Sequence, residues 1–259
     1  MNIIVCMKQV YDLKDLKLKA GEEFTPQGLD RRVNSFDVFA LEAALTVKDQ
    51  NPQTKVIVLS MGAEHTERCL IEGLSKGADK AYRLNSSGFL DTVATSRRLA
   101  QAIHKIEKAE GMADIIITGI QSTDSGNGIV ACMLSRILSR TLVSSAAEIS
   151  LTGNPSKLEI VKRCPDGFEK TEHDFPLIIS ATKLNHEVRY PSFPRIRQAN
   201  QAKINIIEPS PSKKAMSSTE LIRIAKPGRR SRNVIVNDDV QAGTQILLRM
   251  LQEDNIFTR

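Results

Sequence analysis

Short, β-branched, almost wholly apolar runs punctuate the first two thirds of the chain: Asn2–Cys6, Lys55–Leu59, Lys80–Leu84, Asp114–Thr118 and Pro176–Ser180. Runs of this length without polar alternation suit strands covered on both faces of a parallel sheet. After each of the first four, apolar residues return at helical spacing. Val38, Leu41, Ala44, Leu45 and Val47 mark one helix; Leu70, Ile71 and Leu74 mark another, which stops at Gly77. Leu99, Ile103 and Ile106 mark a third, and Val130, Met133, Leu134, Ile137 and Leu138 a fourth. Asn34 is placed to cap the first helix, and Asp91 or Thr92 stands at the start of the third. Strand and helix alternate, which calls for a parallel sheet with right-handed crossovers and a ligand site at the carboxyl ends of its strands.

The exceptions to that alternation locate the additions. Lys8–Arg32, with Gly21, Pro26 and Gly28, reads as a loop or small hairpin. After Arg140, Ile149, Leu151, Leu158, Ile160 and Phe168 alternate with polar residues around Gly153-Asn-Pro155 and Pro165-Asp-Gly167, as antiparallel strands joined by turns do. Residues 181–203 carry Pro, Arg and two aromatics with no period, which predicts a disordered loop or an exposed recognition surface. Ile204–Ile207 reads as a last strand and Pro209–Lys214 as a linker, with short helices expected at Ser217–Ile224 and Val240–Leu251.

The stretch that organises the rest is Ala113–Leu138. A buried strand breaks at Gly119 and a helix begins at Val130, so Gln121–Gly128 must be a strand-to-helix connection at the carboxyl edge. Its glycines allow positive φ, and the amides entering the helix offer free N–H groups and the positive end of the dipole to an anion. The plainer alternative is that Thr123, Asp124 and Ser125 cap the helix and the glycines turn the chain.

Composition narrows the class. At 259 residues, 41% hydrophobic and 25% charged, the chain can bury a large core. No apolar run is long enough to span a bilayer, and a cytoplasmic protein without membrane insertion is expected. Cys6, Cys69, Cys132 and Cys164 lack CxxC spacing and the four histidines are scattered, so no metal site is indicated. A net charge of +6 could serve nucleic acid, but 4% aromatics, no Trp and a basic excess gathered in Lys213, Lys214, Lys226, Arg229, Arg230 and Arg232 fit a solvated or partner-facing arm instead. GxGxxG, the Walker A loop, GxSxG and the kinase set are missing, and no carboxylate pair stands out as acid and base. With no catalytic residue indicated, the pattern favours a protein whose cofactor does the chemistry.

Several segments, in order, resemble the β subunit of electron-transfer flavoproteins: Val5-Cys-Met-Lys-Gln-Val10, Asn34-Ser-Phe-Asp37 before Ala40–Leu45, Leu59-Ser-Met-Gly62 with Gly77-Ala-Asp79, Asp91–Ser96, Gly119-x-Gln121-x-x-Asp124, and Leu184-Asn185 followed by Arg189-Tyr190 and Pro194. The resemblance implies a parallel sheet flanked by helices of the adenine-nucleotide α-hydrolase-like type, with antiparallel additions. Residues 1–208 would form the nucleotide-binding domain and 209–259 an extended arm on a larger α subunit in an obligate heterodimer. It implies a second FAD in that α subunit and an adenine nucleotide, FAD or AMP, in this one. The nucleotide would touch Cys6, Asn34, Ser35, Phe36, Asp37 and Met61, with Asp91, Thr92 and Thr95 beside it. Gly119, Gln121, Thr123, Asp124, Ser125, Gly126, Asn127, Gly128, Ile129 and Val130 would supply the rest. An acyl-CoA-type dehydrogenase would dock on 181–203 through Leu184, Arg189, Tyr190, Phe193 and Pro194, and NADH is a further candidate partner.

The departures bear on which nucleotide is held. Ser35, Ile120 and Ile129 replace a usual proline, basic residue and glutamine. AMP-binding relatives typically end the loop in Gln-Thr. This chain has Ile129-Val130, with the valine seen in electron-bifurcating relatives, so FAD and flavin-based bifurcation are expected, with NADH oxidised only in complex with the α subunit. A stand-alone nucleotide-hydrolysing enzyme is the alternative, but it would need a phosphate-reactive motif after the first strand, where Cys-Met-Lys-Gln-Val stands. An RNA-binding module would need aromatics among the arginines, and only Tyr190 and Phe193 qualify.

Overall fold

The computed structural model describes residues 1–12, 19, 22–25, 29–154, 156–210, 217–225 and 239–253. Its elements run β1 (Asn2–Cys6), β2 (Gln9–Tyr11), β3 (Arg31–Val33), α1 (Ser35–Gln50), β4 (Lys55–Gly62), α2 (Glu67–Lys76), β5 (Lys80–Asn85), α3 (Thr92–Glu110), β6 (Ile115–Gly119) and α4 (Val130–Leu138). There follow β7 (Thr141–Leu151), β8 (Lys157–Cys164), β9 (Gly167–Asp174), β10 (Leu177–Ala181), α5 (Phe193–Asn200), β11 (Ile204–Ile207) and α6 (Val240–Glu253). Among the described residues, a nine-stranded sheet has the order β11-β5-β4-β1-β6-β10-β7-β8-β9, and β2 and β3 form the expected small hairpin.

Within the nine-stranded sheet, pairing is parallel from β11 through β7 and antiparallel at β7–β8 and β8–β9. Alternation along each inner strand feeds two cores. Ile3, Val5, Val56, Val58, Ile115, Ile117, Leu177 and Ile179 pack on one face with Leu41, Leu45, Cys69 and Leu70 of α1 and α2. Ile4, Cys6, Ile57, Leu59, Ile116 and Ile178 pack on the other with Leu99, Ile103 and Leu134 of α3 and α4. The helices thus lie on both faces, as an open parallel sheet requires.

Several local expectations are corrected. β7 is not simply antiparallel: its first half pairs in parallel with β10 before a register shift, and its second half pairs antiparallel with β8. Segment 181–203 holds a helix, α5, with Pro194 in its first turn, where the missing N–H costs nothing. Ser217–Ile224 is not helical: Asp91 N donates to Ser217 Oγ (2.7 Å), Ser218 N donates to Asp91 Oδ2 (2.6 Å), and Ile224 O accepts from Phe24 N (2.8 Å). On α4 the buried face centres on Ala131 and Leu134, and Ile137 is exposed.

Two compact units divide the chain: Met1–Leu16 with Thr25–Ile222, and Lys17–Phe24 with Arg223–Arg259. The first continues past residue 208. The second contains α6, whose Ile246, Leu247 and Leu248 are exposed. Gly21, Pro26, Gly28, Pro155, Lys213, Lys214, Lys226, Arg229, Arg230 and Arg232, invoked above for turns, linker and basic arm, lie outside the described residues.

Candidate functional site

In the parallel part of the sheet the chain order reads third, second, first, fourth strand across β5, β4, β1 and β6, so connections depart in opposite directions on either side of the β1–β6 gap. Such a switch point opens a crevice above the carboxyl ends of the two strands. Cys6 ends β1 and Gly119 ends β6, and both of the segments that follow are held by the start of α1.

Asn34 occupies the N-cap position of α1, yet makes no side-chain cap. Its Oδ1 accepts from Thr123 N (3.0 Å) and its Nδ2 donates to Gln121 O (2.9 Å). One turn on, Asp37 accepts from Lys8 N at Oδ2 (2.6 Å) and from Gly119 N at Oδ1 (3.1 Å). Burial pushes the Asp37 carboxyl up to about 7, against the lowering pull of those amides, Asn34 and the Lys8 charge. Burial, with Asp37 nearby, pushes the Cys6 thiol up to about 12, so it is a packing group and no nucleophile at neutral pH.

Lys8, which the sequence reading passed over, is the missed residue of this crevice. Its Nζ donates to Asp124 Oδ1 (2.8 Å) and stands 3.5 Å from Ser122 Oγ. Burial works against the charge on Asp124, but Lys8, Ser122 and the Ser125 amide hold its carboxyl below the ordinary range. A lysine just past a strand end carries no periodic signal that would single it out.

Thr123, Asp124 and Ser125 do not cap α4, whose N-cap position is Ile129 without a side-chain bond. Gly126 and Gly128 both adopt φ of 64°, and a Cβ on Gly126 would meet nothing within 4 Å. Among the described residues, the amides of Asn127, Gly128, Ile129 and Val130 donate to no protein acceptor. Asn127 Nδ2 donates to Thr92 Oγ1 (3.0 Å), joining this loop to the start of α3, where Asp91 caps through Ala94 N (2.8 Å). Ile129 and Val93 are exposed nearby in sequence to that link, and Thr95 lies one turn into α3. A row of free amides beside an open glycine fits a phosphate or diphosphate by its donor chemistry.

The other expected residues divide. Ser35 and Phe36 begin α1 and are partly buried, with Phe36 edge-on to Phe39 at 6.5 Å, and Met61 packs on the second core from β4. Leu184 does not face outward with the partner-docking set: it is 4% exposed and belongs to the core. Arg189 is turned inward as well, its Nε 2.9 Å from buried Glu42 and its Nη2 2.7 Å from Asp49. Tyr190 and Phe193 are 93% and 89% exposed, and Pro194 is exposed beside them. A separate cavity of about 530 Å³, lined by Gln9, Arg31, His65 and Arg68 among others, contains none of the expected residues. Among the described residues no His, Cys, Asp and Glu group could hold a metal, and no helix is long and apolar enough to cross a membrane.

Fold and crevice together define an open α/β protein with an anion-receptive loop at its carboxyl edge. Residues 23–212 match the electron transfer flavoprotein domain. The chain is 36% identical over 208 residues to the electron transfer flavoprotein subunit beta of Megasphaera elsdenii, covering 78% of this chain and 75% of that one. It is 31% identical to the caffeyl-CoA reductase-Etf complex subunit CarD of Acetobacterium woodii, covering 99% and 100%, and 32% identical to protein FixA of Azorhizobium caulinodans, covering 80% and 74%. The chain belongs to the electron transfer flavoprotein family, as a β subunit.

Proposed function

We propose that this β subunit works in a heterodimer with an α subunit and holds FAD in the crevice above β1 and β6. The observation that carries this reading is the run of unpaired amides at Asn127–Val130, linked through Asn127 to Thr92 on the next helix. Those amides suit a phosphate, and the Thr92–Thr95 turn of α3 extends the site beyond what a monophosphate would fill. Ile129 and Val130 place apolar side chains where a polar pair would favour AMP. FAD, when bound, supplies a centre that accepts and returns one or two electrons. The chain's own groups bind and orient it: glycine-flanked amides take the diphosphate, and Asp124, Ser125 and Thr92 offer polar partners around it.

The electrons pass between an NADH-linked flavin site and a dehydrogenase of acyl-CoA type, with bifurcation arising from the second flavin. The caffeyl-CoA reductase complex to which the CarD relative is assigned by name supports a CoA-thioester oxidoreductase as partner. The dehydrogenase docks on Tyr190, Phe193 and Pro194, and residues 209–259 form the arm that packs on the α subunit. Denaturing the purified heterodimer and quantifying released nucleotides tests the assignment. Two FAD per heterodimer is expected; one FAD with one AMP would overturn both the FAD assignment and bifurcation.

A further inference from the structure

We propose that Asn34 is a positioning residue for the nucleotide loop, fixing its backbone rather than touching the ligand. This rests on the reading that the loop from Gly119 to Val130 holds a nucleotide.

Asn34 is 1% exposed, so it has almost no surface to offer a ligand. Its polar atoms are committed elsewhere. The backbone N donates to Lys8 O (2.9 Å), and the backbone O accepts from Asp37 N (3.0 Å) and Val38 N (3.2 Å). The side chain accepts from Thr123 N and donates to Gln121 O. Those two loop groups are of opposite kind, a donor and an acceptor, two residues apart. A carboxamide offers the two functions from separate atoms of one planar head, whereas an ionised aspartate at this position, an acceptor only, could satisfy Thr123 N but not Gln121 O. Asn34 thereby forgoes the helix cap that its position and residue type favour, and the cap's usual worth is diverted into loop geometry.

The loop has few other anchors at this level. Asp37 fixes its first residue through Gly119 N, and Lys8 holds Asp124 through a pair whose side chains are 48% and 35% exposed. An exposed pair of this kind contributes little rigidity. The buried amide bonds of Asn34 lie between these two points, and they determine the direction in which the chain leaves toward Gly126 and the unpaired amides of Asn127–Val130. Preorganised donors bind an anion without reorganisation at the moment of binding.

The test uses the heterodimer, freed of nucleotide by dialysis, as wild type and Asn34→Ala. Hydrogen exchange is read on the peptide covering residues 117–125, and affinity is measured for AMP, ADP and FAD. In the variant, exchange in that peptide should speed by about tenfold or more, and affinity for all three nucleotides should fall by a common factor of about tenfold, as loss of one or two buried hydrogen bonds implies. Unchanged loop exchange, or a loss confined to one nucleotide as a direct contact would give, overturns the proposal. If Asn34→Ala fails to assemble, Asn34→Asp keeps the acceptor for Thr123 N but sets an oxygen against Gln121 O. It should show the same faster exchange, and unchanged exchange there overturns the proposal equally. A wild-type heterodimer that binds none of the three nucleotides would sink the nucleotide reading, while the exchange comparison still judges the role of Asn34 in the loop.

Discussion

Asn127 Nδ2 donates to Thr92 Oγ1 across 3.0 Å, so the glycine loop before α4 and the first turn of α3 are joined by a single side-chain hydrogen bond. Thr92→Val keeps the shape and removes the acceptor. A neutral hydrogen bond of this kind is worth about 1 kcal/mol. FAD affinity should drop roughly fivefold and AMP affinity by less, because the link steadies the Asn127 loop for either nucleotide while only the longer ligand would also use Thr92 itself. Equal losses for both nucleotides in titration calorimetry would place Thr92 outside the dinucleotide site.

Asp37 gives the protein a specific pH signature. Its folded-state value of about 7 lies above the ordinary carboxylate value, so the folded state binds the proton more tightly between roughly pH 4 and 7. This group therefore contributes stability below that window and loses it as pH rises to 7. Asp37→Asn removes the titration but sets an NH2 against either Lys8 N–H or Gly119 N–H. The variant's thermal midpoint should be lower at pH 5, and its change from pH 5 to pH 7.5 should lack the downward component present in wild type. Parallel pH profiles for the two proteins would show that Asp37 does not titrate there.

Gly119 is the closest-packed point of the site. A Cβ there would strike Asp37 Oδ1 and come within 2.7 Å of Phe36 Cβ and 2.8 Å of the Phe36 carbonyl carbon. Backbone cannot yield as a side-chain end can, so Gly119→Ala should cost about 1–3 kcal/mol and displace the loop. Thermal unfolding and nucleotide content of the heterodimer should fall together; full nucleotide content at normal stability would mean that α1 can retreat.

Phe193 begins α5 with 89% of its surface exposed, next to Tyr190 at 93%. Aromatic side chains on a fixed turn are efficient docking anchors. Phe193→Ala should raise the concentration of heterodimer needed for half-maximal electron transfer to the dehydrogenase by about tenfold or more. Flavin content and subunit assembly should be unaffected, since the ring contributes little to this subunit's core; loss of assembly would instead assign Phe193 to the α-subunit interface.

The sheet was legible in the sequence because burial on both faces leaves Ile3–Val5 of β1, Ile115–Ile117 of β6 and Leu177–Ile179 of β10 as unbroken apolar runs, and helix spacing between the runs forces parallel order. Asp91 could be read as a cap because capping is a local event within a single turn. Asn34 shows where local reading fails. Its position and type say cap, but a loop 87 to 89 residues further on competes for the same side chain and wins, because buried loop amides have no water to turn to.

The same reason explains Arg189 and Leu184. Nothing in a Pro- and Arg-rich segment foretells that Glu42, 147 residues earlier, would be buried at 5% and require that guanidinium, or that Leu184 would find room in the core. The double pairing of β7 also depends on which strands arrive on either side of it. Sequence alone determined which residues had to leave water and with what period. The tertiary structure decided which of the remaining polar groups would satisfy one another, since that matching depends on distances between segments far apart in the chain.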